Sequence, residues 1–115
     1  MRVVERQMLK AIHLRKDWSS GNTKVSVTYF MHGDRPIDRV NVFLHDHLIA
    51  TVNQDTVEVC DCGYQTNTTK SRLNVILRDL CQASIYQKKF IWYGSALEES
   101  DWVIEKGSRH VFVRV

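Results

Sequence analysis

The spacing of apolar residues changes along the chain from a helical to an alternating period and back. Val4, Met8, Ala11, Ile12 and Arg15 fall near a helical repeat, with Glu5, Arg6 and Lys10 elsewhere on the wheel, so residues 2 to 16 read as an amphipathic helix. Arg15 and Lys16 suit its negative end, and Trp18-Ser19-Ser20-Gly21-Asn22 reads as the turn that follows, with Trp18 fastening the exit to the core. From Lys24 to Met31 the period becomes two: Val25, Val27 and Tyr29 share one side, and Lys24, Ser26 and Thr28 the other, as in a half-buried strand. His32-Gly33-Asp34-Arg35-Pro36 holds the only proline and reads as a loop. A meander follows: a strand from about Arg39 to His45, a tight turn at Asp46-His47, a strand Leu48 to Asn53, a turn at Gln54-Asp55 and a strand Thr56 to Cys60. Pairing His45 with Leu48 and Asn53 with Thr56 puts Val42, Leu44, Ile49, Thr51 and Cys60 on one face. Phe43, Ala50, Val52, Val57 and Val59 take the other, so both faces are apolar enough to be covered.

After a turn at Asp61-Cys62-Gly63, Asn67 or Thr68 is expected to cap a second helix running to about Leu80. Leu73, Ile76, Leu77 and Leu80 form its apolar stripe, and Lys70, Asn74 and Arg78 its polar side. Two hairpins are expected beyond it: Ala83 to Gln87 with Phe90 to Tyr93 around Lys88-Lys89, and Trp102 to Glu105 with Arg109 to Val115. Gly94 to Asp101 reads as a surface loop. The expected fold is α+β, antiparallel sheet(s) with two helices in the order α-β-β-β-β-α-β-β-β-β.

At 115 residues, 43% hydrophobic and 25% charged, the chain is one globular domain, 1–115, with enough apolar residues for a core. A formal charge of +3 is too mild to imply a polyanion partner by itself. Its distribution is uneven: residues 1–24 carry six basic and two acidic side chains, 25–69 two and six, and 70–115 eight and five. No apolar run reaches the roughly 18 residues of a membrane span, and the charged N-terminus does not resemble a signal peptide. No membrane partner is therefore expected. Three cysteines, an odd number, point to reduced thiols in a cytosol.

Asp17-Trp18 through Gly21-Asn22-Thr23, Phe43-Leu44-His45 with Leu48-Ile49-Ala50, and Gly63 with Thr66-Asn67-Thr68-Thr69-Lys70-Ser71-Arg72-Leu73-Asn74 form a recognisable series. Together with Tyr86-Gln87-Lys88 and Trp92-Tyr93, it resembles a family of small bacteriophage-encoded proteins of unknown function, over most of the chain. The resemblance implies a viral origin and action in the infected bacterial cytoplasm, and it hands over no catalytic residue. Two departures stand out: Asp46-His47 where the first hairpin usually has Gly-Asn, and an extended Gly94 to Asp101 loop.

Three groups of residues have the composition of a site. His45, His47, Cys60 and Cys62 have the ligand types of a zinc site, but in the register above His45 and Cys60 point to opposite faces, so no metal is expected. Where the second helix starts, free backbone N–H groups and the hydroxyls of Thr68 and Thr69 coincide with Lys70 and Arg72, with Arg78 further along. Cations there oppose the helix dipole, which an anion between them would relieve; ordinary capping and solvation explain the same residues without one. Lys88, Lys89 and Trp92 mix cations with a stacking surface in one hairpin, although alternation would bury part of this set. No phosphate loop, nucleophile elbow or metalloprotease motif is present, so neither catalysis nor a cofactor is expected.

The expectation is a non-enzymatic phage accessory protein of the host cytoplasm, binding nucleic acid through Thr68, Thr69, Lys70, Arg72, Arg78, Lys88, Lys89 and Trp92. The alternatives are an inhibitor of a host enzyme or defence protein, with Trp102 beside Glu98-Glu99-Ser100-Asp101 either exposed as its anchor or buried at the start of a strand, and a minor virion component. With Lys70 and Arg72 read as exposed, changing both to Glu is expected to leave the fold at least as stable.

Overall fold

The computed structural model describes residues 1–115. The elements run α1 (Val3–Leu14), β1 (Trp18–Ser20), β2 (Thr23–His32), β3 (Arg35–Leu44), β4 (His47–Val52), β5 (Thr56–Cys60), α2 (Asn67–Cys81), β6 (Ser84–Lys88), β7 (Ile91–Ser95), β8 (Trp102–Val103) and β9 (Arg109–Val113). The class is α+β with all-antiparallel pairing, as the periodicity predicts, with one strand more before α2 than expected. That strand is β1: Trp18–Ser20 pairs with the start of β2, and only Gly21-Asn22 turns. Trp18 packs against the core as anticipated.

Six strands form one sheet in the order β1-β2-β3-β4-β5-β9, and β6-β7-β8 form a second. Met8, Ala11 and Ile12 of α1 and Leu73, Ile76, Leu77 and Leu80 of α2 pack on one face of the large sheet against Val25, Val40, Val42, Val52, Val57, Val59 and Phe112. Ile85 and Trp92 bring the small sheet into the same core. No helix is long and apolar enough to cross a membrane.

The meander differs from the expected register at two points. The first turn is His45-Asp46, both in the left-handed region at φ 50° and 64°, so that Leu44 pairs with His47. Ile49 then forms a β-bulge: Phe43 faces Leu48 and Val42 faces Ala50. At the bulge Ile49 and Ala50 both turn into the core, and Val42 joins Ala50, Val52, Val57 and Val59 on the covered face. Only that face is covered. The other presents Lys24, Thr28, Asn41, Phe43, Thr51 and Glu58, half-buried or exposed.

Pro36 lies within β3, paired with Met31, and the chain reverses at Gly33-Asp34. Proline is tolerated there because β4 pairs with β3 only from Val40 onward, leaving Pro36 at an unpartnered strand side. The last expected hairpin does not form. Trp102–Val103 joins β7 and Arg109–Val113 joins β5, which puts the two segments in different sheets.

Candidate functional site

At the start of α2 the cap is Thr66, one residue before the expected positions, and its Oγ1 accepts the Thr69 N–H at 3.1 Å. Thr69 and Arg72 are both buried, which removes them from any exposed site. Arg72 instead holds three elements together. Its guanidinium donates to Glu5 Oε2 of α1 at 2.9 Å and to Thr23 Oγ1 of β2 at 3.1 Å, while Ser71 Oγ donates to the same Glu5 oxygen at 2.5 Å. Burial pushes the Glu5 carboxyl pKa up, but the Ser71 and Arg72 bonds and the Arg2 backbone N–H outweigh it and hold the group below the ordinary glutamate range. A signal for this pair was present. Glu5, Met8 and Ile12 lie at i, i+3 and i+7, as do Thr69, Arg72 and Ile76, so both charges sit on their helices' buried stripes.

Lys70 and Arg78 do face outward. With Met1 and Arg2 at the start of α1 they line a groove of about 1040 Å³ between the two helices. Both carboxylates in that lining are engaged: Glu5 by Arg72 and Ser71, and Asp79 by His13 at 2.6 Å. Lys70 Nζ donates to Gln87 Oε1 at 3.3 Å, linking the groove to the β6–β7 hairpin. Lys88, Lys89 and Phe90 are exposed at the hairpin tip, and Phe90 is 90% exposed. Lys89 and Phe90 form the turn, at φ 50° and 67°. Moving the turn one residue from Lys88-Lys89 also moves the aromatics: Trp92 is 2% exposed and belongs to the core, so it offers no stacking surface. Strict alternation through this hairpin hides Phe90 as the exposed ring, because Phe90 itself turns and the period of two stops there.

Thr68 lines a different, smaller cavity of about 300 Å³ with His47 and Tyr64. Of the eight expected binding residues, Lys70, Arg78, Lys88 and Lys89 thus lie on the groove and the adjoining hairpin tip.

The His and Cys residues do not converge on one point, bulge notwithstanding. His45 meets Asn22 at 3.4 Å, and the His47 ring lies on Tyr64 at 4.7 Å between centroids. Cys62 N donates to Cys60 Sγ at 3.2 Å, and Cys62 Sγ to the Leu48 carbonyl at 3.1 Å. All three cysteines are free; burial and the neighbouring Cys60 push the Cys62 thiol up to about 11, and burial does the same to Cys81. Trp102 is half-buried, its ring centre 5.4 Å from that of Phe112 and its indole so close to Gly94 that any side chain there would collide with it. It therefore does not form the exposed anchor proposed beside Glu98 to Asp101.

The profile of a protein family described as Kyanoviridae Gp96 protein matches residues 1–109. No curated protein and no solved structure matches the chain.

Proposed function

We propose, for a chain that belongs to the phage-encoded Kyanoviridae Gp96 protein family, a non-enzymatic accessory role in which it binds nucleic acid along the groove between α1 and α2. The observation carrying this reading is the uncompensated charge of that groove. Arg2, Lys70 and Arg78 line it without an ion-pair partner, while Glu5 is taken up by Arg72 and Asp79 is hydrogen-bonded to His13, so cations outnumber carboxylates in the groove. Cations gathered where no protein anion neutralises them are what a phosphate backbone attracts. Lys88 and Lys89 extend the cationic surface past Gln87, and Phe90 adds a ring that a base can stack on. That ring stands in a turn whose left-handed conformation favours Asn or Gly, so a large apolar side chain is held in water at some conformational cost.

The test is a gel shift with single-stranded and duplex oligonucleotides at about 50 mM salt, comparing the wild type with Lys70→Glu/Arg78→Glu. Both residues lie outside the core, and a carboxylate at position 70 suits the helix N-terminus, so the variant stays folded. The reading predicts that the wild type shifts the oligonucleotide and the variant does not. Equal shifts by both proteins would remove the groove assignment. Absence of any shift, together with capture of a host protein that survives nuclease treatment, would replace nucleic acid with a protein partner.

A further inference from the structure

The face of the large sheet that neither helix covers carries a second, separate concentration of nucleic-acid chemistry. Alternation and register put Lys24, Arg35, Arg39 and Arg109 on this face, with Glu58 as its carboxylate. Glu58 is already bonded to Arg109 at 3.1 Å. The other acids between residues 25 and 69 sit elsewhere: Asp34, Asp46 and Asp55 at turns, Asp38 across the ribbon against Arg15, and Asp61 buried and accepting from the Gly63 and Gly107 N–H groups. Two phenylalanines share the face, each beneath a cation. Lys24 Nζ lies 5.7 Å from the Phe43 ring centre, and the Arg39 guanidinium 4.5 Å from that of Phe30. A cleft of about 510 Å³ runs along the face past Arg39, Asn41, Phe43 and Thr51 to the Glu58–Arg109 pair, with Phe30 outside it.

Cross-strand pairs of this kind support a sheet by themselves, and exposed aromatics are common in strands. Stability alone, however, favours opposite charges facing each other, and it gives no reason for a face with Lys24, Arg35, Arg39 and Arg109 to hold a single carboxylate, Glu58, in a protein that has thirteen. An open polar sheet face with rings and uncompensated cations matches the way single strands are held, bases stacked on aromatics and phosphates on Lys and Arg. Same-face residues along β3 are spaced about 7 Å apart, so Phe43, Asn41, Arg39 and Ile37 form a track along one strand. We infer that this open face is a stacking platform for single-stranded nucleic acid. The inference rests on the reading that the ligand is nucleic acid, but not on the groove between the helices, which lies on the opposite side.

A fluorescein-labelled oligo-dT of about 20 nucleotides, followed by anisotropy at about 50 mM salt, tests it against a duplex of the same length. Phe43→Leu/Phe30→Leu is expected to weaken single-strand binding on the order of a hundredfold, about tenfold for each ring, and to leave duplex binding unchanged. Tyr at both positions restores it. Arg39→Gln, at an exposed residue, gives a weaker loss in the same direction and serves if the double Leu variant melts early. Unchanged affinity in these variants overturns the platform, and if Lys70→Glu/Arg78→Glu alone abolishes single-strand binding the groove stands without it. Loss confined to the sheet variants keeps the platform and removes the groove. No binding of either oligonucleotide by the wild type overturns both.

Discussion

Arg72 shows how far burial changes the meaning of a charge. Read from the sequence, it belongs to a cationic helix start; in the fold it is 4% exposed and held by Glu5 and Thr23. Arg72→Met is therefore expected to cost about 3 to 5 kcal/mol in urea unfolding, because the Glu5 carboxylate is left buried and unpaired. Lys70→Glu/Arg72→Glu, harmless if both side chains were exposed, instead sets a second carboxylate against Glu5 and should unfold the domain. The same pair makes stability depend on pH. Glu5 is held below its unfolded value of about 4.3, so its contribution is fully present above that value and is lost as pH falls through the folded pKa. Acid titration should show the wild type losing stability below about pH 4.3, with that part of the loss absent from Glu5→Gln/Arg72→Met. The cysteines give a second residue-level check. With Cys62 and Cys81 near 11, iodoacetamide at pH 8 should leave both thiols largely unmodified in the folded protein and label all three cysteines in urea. The buried charges were legible only by counting i, i+3 and i+7 without regard to polarity, because a charge on an apolar stripe is ordinarily a mark of its edge.

At the scale of elements, both helices and most strands follow from periodicity, since β2, β5 and α2 repeat cleanly at two or at about 3.6 residues. The register of β3 on β4 did not follow. A bulge inserts one residue and reverses the side on which everything beyond it points, and nothing local in Leu48-Ile49-Ala50 marks the insertion, because all three are apolar. Likewise β8 and β9 look like a hairpin by spacing, but β8 pairs back onto β7, the strand just before it, and β9 pairs with β5, which lies on the far side of α2 in the sequence. The β3–β4 turn supplies a test. His45 and Asp46 both occupy the left-handed region, where Asn-Gly is strongly preferred, so His45→Asn/Asp46→Gly should stabilise the domain by about 1 kcal/mol. A lower melting temperature would show that the His45 contact with Asn22 outweighs the backbone strain. Leu73→Ala or Ile76→Ala, both at fully enclosed positions, should cost about 2 to 5 kcal/mol in the same assay.

For the whole molecule, charge is organised by face and not by stretch of sequence. The segment 25–69 is net acidic when counted along the chain, yet its two arginines, Arg35 and Arg39, lie on the open sheet face while its aspartates lie at turns, across the ribbon or, as Asp61, bonded to the Gly63 and Gly107 N–H groups. The groove has a similar history: Arg2 of the N-terminus and Lys70 and Arg78 of α2 become neighbours only when the two helices pack. Net charge and segment sums could not show either surface. If these surfaces bind nucleic acid, binding must release counterions from the phosphates. The salt dependence of affinity for a labelled single strand, measured from about 50 to 200 mM, reads that release directly. With about four cations engaged, the logarithm of the association constant should fall linearly against the logarithm of salt with a slope of about −3. A slope near zero, or no binding at the lowest salt, would contradict the account.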